Sequence, residues 1–446
     1  MLEPAIGDWQ CHLPFSSSFR SRIEAERRAL CKRNAALHPA PWRGPGFCGS
    51  VRRRSGEAGI RVQDRNETVN WRNLIAACAA VCVFAFSLGE MFPLLSLSME
   101  SRGVSPRVIG FNAAMAPVGI LIAGLFIPRL SHAFGAKPVA LTMAFATAAI
   151  FLLYPTFPTL AAWFPLRLVQ GITVATLFAL SEAWVLTNAK GSLRGLIVGI
   201  YATCISATFG IGAGVIGWVG IEGYLPFAIG AVVLVLAALP MSALDASAEE
   251  EHEEHVSILQ FLPKAPLLLA AIYVHAIFDG GMLGFLSVYG VRSGMSIESG
   301  AILLTVLSFG NVVFQIPIGW VADKTSKNGT MLACFVLCCV GLVALPHAIG
   351  TAFIWPLLLV LGASGFGIYT VGLAQLGDRF SGPDLIAGTS TFSTVWGLGA
   401  LTGSVVSGIA MDAFGPNGFP HALLAIFVGY LAIRLVVLRQ RAARAR

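Results

Sequence analysis

Residues 74–98 read LIAACAAVCVFAFSLGEMFPLLSLS, and Glu90 is the one charged side chain in the run. A helix rises about 1.5 Å per residue, so about 20 such residues cross the hydrocarbon core of a bilayer. The stretch is long enough and apolar enough to span a membrane as a helix. Outward from it, comparable runs recur at 108–130, 138–156, 160–185, 196–218, 225–242, 267–289, 301–321, 331–349, 353–376, 388–411 and 421–438. Twelve candidate spans result, most of them ended by Gly, Pro or charge.

Composition agrees with that count. Hydrophobic residues make up 56% of the 446-residue chain and charged residues only 12%, against about 25% in soluble domains. Lipid must therefore be the solvent for much of the surface. The formal charge of +7 points to no nucleic-acid partner, because the basic residues lie in an N-terminal segment and in short connections. The nine cysteines show no zinc-like or redox spacing, so neither a metal nor a cofactor is expected. Cys11, Cys31 and Cys48 fall before the first span, and the other six in apolar runs as packing residues.

The spans divide the chain. Residues 1–71, with Arg52-Arg53-Arg54, read as a basic, disordered cytoplasmic tail; a start codon set too far upstream and a functional basic arm are the other readings. Residues 72–242 form a first six-helix bundle and 265–440 a second, with a basic tail at 441–446. Residues 243–264 are an acidic cytoplasmic linker containing Glu249, Glu250, Glu251, Glu253 and Glu254 beside His252 and His255. A solvated linker explains that run better than a cation site, which needs fixed geometry. Arg194-Gly195 before span 5 and Ala387-Gly388 before span 11 are 193 residues apart, as are the openings of spans 1 and 7 near 74 and 267. The expected fold is an all-α membrane protein of twelve transmembrane helices in two pseudo-symmetric six-helix bundles. With both termini inside, thirteen basic residues from Arg129 to Arg446 fall in cytoplasmic connections, against Arg102, Arg107 and Arg292 outside.

Two motifs suggest a family. After span 8 comes Gly319-Trp320-Val321-Ala322-Asp323-Lys324-Thr325-Ser326-Lys327, and after span 2 a degraded copy, Pro128-Arg129-Leu130-Ser131-His132-Ala133-Phe134-Gly135-Ala136-Lys137. The first resembles the Gly-x-Leu-Ala-Asp-Arg-x-Gly-Arg-Arg loop of the major facilitator superfamily. Span 4 holds Arg167-Leu168-Val169-Gln170-Gly171, similar to that superfamily's Arg-x-x-Gln-Gly element, which is associated there with proton coupling. Ser181-Glu182-Ala183-Trp184 and Arg194-Gly195-Leu196-Ile197-Val198-Gly199-Ile200-Tyr201 resemble its YcaD-like group, which implies no specific substrate. Span 5 carries Gly210, Gly212, Gly214 and Gly217 but lacks the Gly-Pro pair of the antiporter element. The resemblance implies a gating loop of Gly319, Asp323, Lys324 and Lys327, with His132, Gly135 and Lys137 as its counterpart. In it, Gly would permit close helix packing, and Asp323 would face the start of span 5 near Gly195. His132 could not supply the matching carboxylate, so the latch should be asymmetric.

Charge inside a span is costly and marks function or a buried partner. Glu90 and Asp279 are the acids that could answer Arg167. His275 and Asp279 stand four residues apart on one helix face, as do Asn311 and Gln315, which could bond substrate or join helices. Glu90, Arg167, Gln170, His275, Asp279, Asn311 and Gln315 are therefore the candidates for proton coupling or a substrate cavity. No nucleotide loop, hydrolytic metal motif or nucleophile constellation stands in the connections, so no enzyme is expected. The expected function is secondary active transport of a small solute by alternating access, with protons as a candidate coupling ion. A facilitated-diffusion uniporter and a transporter-like receptor are the alternatives. The expected setting is the plasma (inner) membrane, with both termini cytoplasmic and the monomer as the working unit.

Overall fold

The computed structural model describes residues 71–188, 194–243 and 261–444. The expected N-terminal tail up to residue 70, Lys190, the linker's acidic run and the last two residues lie outside the described residues. The described residues fold into helices alone, twelve of them long and apolar enough to cross a membrane. They are α1 (Trp71–Ser101), α2 (Pro106–Phe134), α3 (Ala136–Thr156), α4 (Leu160–Asn188), α5 (Arg194–Val219), α6 (Leu225–Ala238), α7 (Pro266–Arg292), α8 (Ile297–Lys324), α9 (Lys327–Ala348), α10 (Ile354–Arg379), α11 (Pro383–Phe414) and α12 (Gly418–Arg444). A short 3₁₀ turn, Leu239–Ala243, extends α6.

Local chemistry sets the ends. Pro106, Pro266 and Pro383 each open a helix, where the missing N–H is no loss. Ser296 and Ser326 cap α8 and α9 by accepting from the backbone N–H groups of Ser299 and Gly329. Gly135, at φ 83°, makes the tight turn between α2 and α3, a conformation in which a side chain would be strained.

Within the first six helices α1 packs on α5 and α4, α2 on α4, and α3 on α4 and α6. The last six repeat this: α7 on α11 and α10, α8 on α10, and α9 on α10 and α12. The halves meet where α2 lies on α11, α5 on α8, and α1 on α7. Without a hydrophobic drive between helices in lipid, close approach depends on small residues, and four crossings show it. Gly89 meets the backbone of Phe209 and Gly212 that of Phe86; Gly280 meets Ala400 and Gly403 meets Ile277. Gly171 meets Ala116 and Gly119 meets Leu168; Gly362 meets Leu307 and Gly310 meets Leu359.

Every position in the first half's set recurs in the second, 191 places on: Gly89 as Gly280, Phe209 as Ala400, Gly119 as Gly310, Gly171 as Gly362. This corrects the 193-residue offset read from Gly195 and Gly388. Those two share a loop-like context, whereas the repeat is fixed by which backbones touch.

The halves touch toward one end. There Gly110 of α2 and Gly408 of α11 bring their backbones together, Gly217 of α5 packs on Ile302 of α8, and Arg292 Nε donates to Glu100 Oε1 at 2.8 Å. Toward the other end Leu125, Phe126, Val313, Ile316, Ser390 and Ser393 are exposed. Arg129, Lys264, Lys324, Lys327 and Arg379 stand at this second end, with Lys264 on Asp384 and Lys327 on Asp378, each at 2.6 Å. Arg102, Arg107 and Arg292 stand at the first.

Candidate substrate and proton site

In the C-terminal half the site is built on α7. His275 and Asp279 are 2% and 5% exposed, yet they engage different neighbours. His275 Nδ1 lies 2.9 Å from the Gly365 carbonyl on α10. A carbonyl can only accept, so Nδ1 carries the proton and Nε2 is left as an acceptor. Asp279 Oδ2 accepts from the indole N–H of Trp396 on α11 at 3.0 Å. No described residue donates to Oδ1, and no described cation pairs with Asp279. The imidazole lies 5.7 Å from the Tyr369 ring and 6.1 Å from Phe366, and Tyr369 lies 6.3 Å from Phe392. Phe366, Tyr369 and Trp396 are only partly buried. From the opposite half, Glu182 of α4 is exposed and within electrostatic reach of Tyr369.

The N-terminal half differs. Arg167 is 1% exposed. Its Nη1 donates to the Met91 carbonyl at 2.9 Å, its guanidinium lies 4.3 Å from the Phe92 ring centre, and Tyr154 stands beside it. Tyr154 donates to Gln170 Oε1 at 3.0 Å, and Gln170 Nε2 donates to Ser87 Oγ at 2.9 Å. Trp163 donates to the Tyr154 carbonyl at 3.1 Å. These bonds tie α1, α3 and α4 together. Arg167 and Gln170 thus sit in helix packing within one half.

The acid expected to answer Arg167 does not. Glu90 is fully buried, neither of its oxygens has a hydrogen-bond partner among the described residues, and the side chain lies against Gly230 of α6 and Phe151 of α3. One residue step turns the helix by about 100°, from 3.6 residues per turn. The Met91 carbonyl therefore meets the arginine while the neighbouring carboxyl faces elsewhere.

Asn311 of α8 donates to Ser206 Oγ of α5 at 3.0 Å, joining the halves. Gln315, one turn on, is half-buried. At the α8–α9 turn Asp323 is mostly exposed and lies 3.8 Å from Lys327, which bonds Asp378 of α10. Lys324 is exposed. No described atom lies within 4 Å of where a side chain on Gly319 would begin, so this glycine is not needed for close packing. In the α2–α3 turn His132 is exposed, Gly135 N–H bonds the Ser131 carbonyl, and Lys137 lies in the first turn of α3. The side chains at the start of α5, where Asp323 was expected to latch, lie outside the described residues.

Sequence reasoning missed Tyr369, Phe366 and Trp396. In a chain with 29 Phe, 7 Tyr and 9 Trp, nothing local marks which rings face one another. The repeat does mark them once its register is known, because Tyr369 stands at the equivalent of Phe178 and His275 at that of Phe84.

A family model described as Major Facilitator Superfamily matches residues 75–375 and 294–445. The uncharacterized MFS-type transporter YfkF of Bacillus subtilis (strain 168) is 25% identical over 372 residues, covering 80% of this chain and 93% of that protein. The uncharacterized MFS-type transporter YcaD of Shigella flexneri serotype 5b (strain 8401) is 24% identical over 259 residues, covering 57% and 67%. Among solved structures, the nucleoside transporter NupG superposes with a TM-score of 0.66 at 14% identity, over 83% of this chain and 98% of that one. That likeness concerns the fold.

Proposed function

The chain belongs to the major facilitator superfamily, a membrane transporter rather than an enzyme, and from that premise we propose secondary active transport of a small solute by alternating access. Residues 72–242 rock against 265–440. The observation that carries this reading is the one-ended contact of two halves built on one repeated scaffold. Gly110–Gly408, Gly217–Ile302 and Glu100–Arg292 hold one end, while the other end leaves apolar and polar helix surface exposed. Placed by the excess of basic residues, the exposed end faces the cytoplasm of an inner membrane, with both termini inside. The protein then rests open to the cytoplasm.

Protons drive the cycle in this reading. Among the described residues Glu90 has no hydrogen-bond partner and Asp279 no cationic one. A carboxyl so placed is costly when ionised, so it exchanges a proton as the surroundings alternate between wet and dry.

The test is a pair of distance measurements by spin labels, one pair at residues 125 and 390 on the open end and one at 101 and 296 on the closed end, in a background free of native cysteines. Two populations that exchange reciprocally between the pairs, with proportions set by pH, are expected. A single population at every pH between 5 and 8 would remove the proposal. Exchange without pH dependence would favour the uniporter.

A further inference from the structure

We infer that the cargo is an amphipathic organic cation, an ammonium carried on a flat apolar body, held by Asp279 and His275 against the rings of α10 and α11. The inference rests on the transport reading and names the substrate class of the same site. Its starting point is what remains unengaged on α7. Asp279 Oδ1 and His275 Nε2 are both acceptors, one helical turn apart. Their other atoms are held by Trp396 and by the Gly365 carbonyl, which fixes both side chains in place. A ligand that satisfies two acceptors must donate, and a protonated amine carries several N–H groups on one atom.

Charge points the same way. Asp279 has no described cation partner, and Glu182 adds a second acidic group from the facing half, within reach of Tyr369. The arginine buried within the spans among the described residues, Arg167, lies nearer the outer end of α4 and is occupied in the other half by Met91, Phe92 and Tyr154. An anionic substrate would meet the Asp279 carboxylate, which no described cation pairs. A neutral solute would leave Asp279, in the ionised form the proton cycle produces, without its counter-charge.

The walls set the rest of the ligand. Phe366, Tyr369 and Trp396 are partly buried and surround the two acceptors on two helices. Aromatic faces attract cations and stack on flat apolar groups. A small hydrophilic amine would waste that surface.

The experiment uses the purified full chain and three probes matched in shape: 2-(1-naphthyl)ethylammonium, 2-(1-naphthyl)ethanol and 1-naphthylacetate, titrated at pH 7.5 by calorimetry. The ammonium should bind at least about tenfold more tightly than the alcohol, the range expected of one hydrogen bond to a charged group, and the carboxylate more weakly than either. Asp279→Asn should erase the preference for ammonium over alcohol, and Asp279→Glu, which keeps the charge, should retain it. The conservative pair separates loss of the site from loss of the fold. Equal binding of ammonium and alcohol, binding of no probe, or an Asp279→Asn protein with unchanged preference would overturn the assignment. The spin-label distances read alternation without any ligand. Two exchanging populations alongside failed ammonium selectivity would discard the cation alone and leave the transporter reading in place.

Discussion

Phe84 and Phe178 lie 4.8 Å apart in the N-terminal half; at the equivalent places, 191 residues on, stand His275 and Tyr369, 5.7 Å apart. The exchange also runs the other way. Arg167, Gln170, Tyr154 and Ser87 form a buried polar network, and their counterparts Leu358, Leu361, Leu345 and Phe278 are buried and apolar. The two halves share a backbone and have divided its chemistry. In one, this network bonds helices to each other. The other keeps acceptors unengaged beside partly exposed rings. A polar residue inside a span is thus no sign of a binding site until its partners are counted.

The comparison can be broken at four places. The largest effect should come from the shared scaffold. Gly212→Leu and Gly403→Leu each drive a side chain into the facing helix backbone, and overpacking costs about 1–3 kcal/mol even where neighbours can yield. Here backbone cannot, so both variants should lose the monodisperse peak on size-exclusion chromatography. Survival of one alone would show that the halves are not equivalent at their crossings.

Next in size is the double change His275→Phe with Tyr369→Phe, which gives the C-terminal half the ring pair of its counterpart. Affinity for the naphthyl ammonium should fall about tenfold, as expected on losing one hydrogen bond to a charged group. The melting temperature should hold within about 3 °C, the shift expected from roughly 1 kcal/mol. An unchanged affinity would return His275 to a packing role.

Tyr154→Phe should do the opposite. It leaves Gln170 Oε1 buried without its donor, a cost of about 1–3 kcal/mol, visible as a lower melting temperature with ammonium affinity preserved. If affinity fell with stability, the N-terminal network would belong to the site after all.

The smallest effect belongs to Asn311→Ala, which removes the bond to Ser206 between the halves. Interhelical hydrogen bonds in membranes average about 0.6 kcal/mol, so the spin-label populations should move by roughly threefold. No movement would mean that the bond forms equally in both states.

Much of this fold is legible in the amino-acid sequence. Each span declares itself by local composition, and the basic connections fall at alternate ends, so twelve helices were legible. The register of the repeat was not, since Gly195 and Gly388 match in sequence context while Gly212 and Gly403 match in contact. The candidate site was half legible. His275 and Asp279 stand out because titratable side chains are rare in spans. Their aromatic surroundings do not stand out, and Arg167 misled because a charge in a span says that a partner exists without saying which. Glu90 was chosen, with Asp279, as an acidic group inside an apolar run, and the rotation of one helical step sends it to α6 instead.

The crossing of Gly110 with Gly408 has a mechanical consequence. It sits four residues inside α2, whose far end at Phe134 lies 24 residues beyond, a lever of about 36 Å at 1.5 Å per residue. A tilt of about 10° at the crossing would carry that far end by roughly 6 Å, about the rise of one helical turn. Two glycines in backbone contact, with the Phe285 ring of α7 beside them, offer a narrow bearing, so a small rotation at a tight fulcrum becomes an opening wide enough to admit a flat ring.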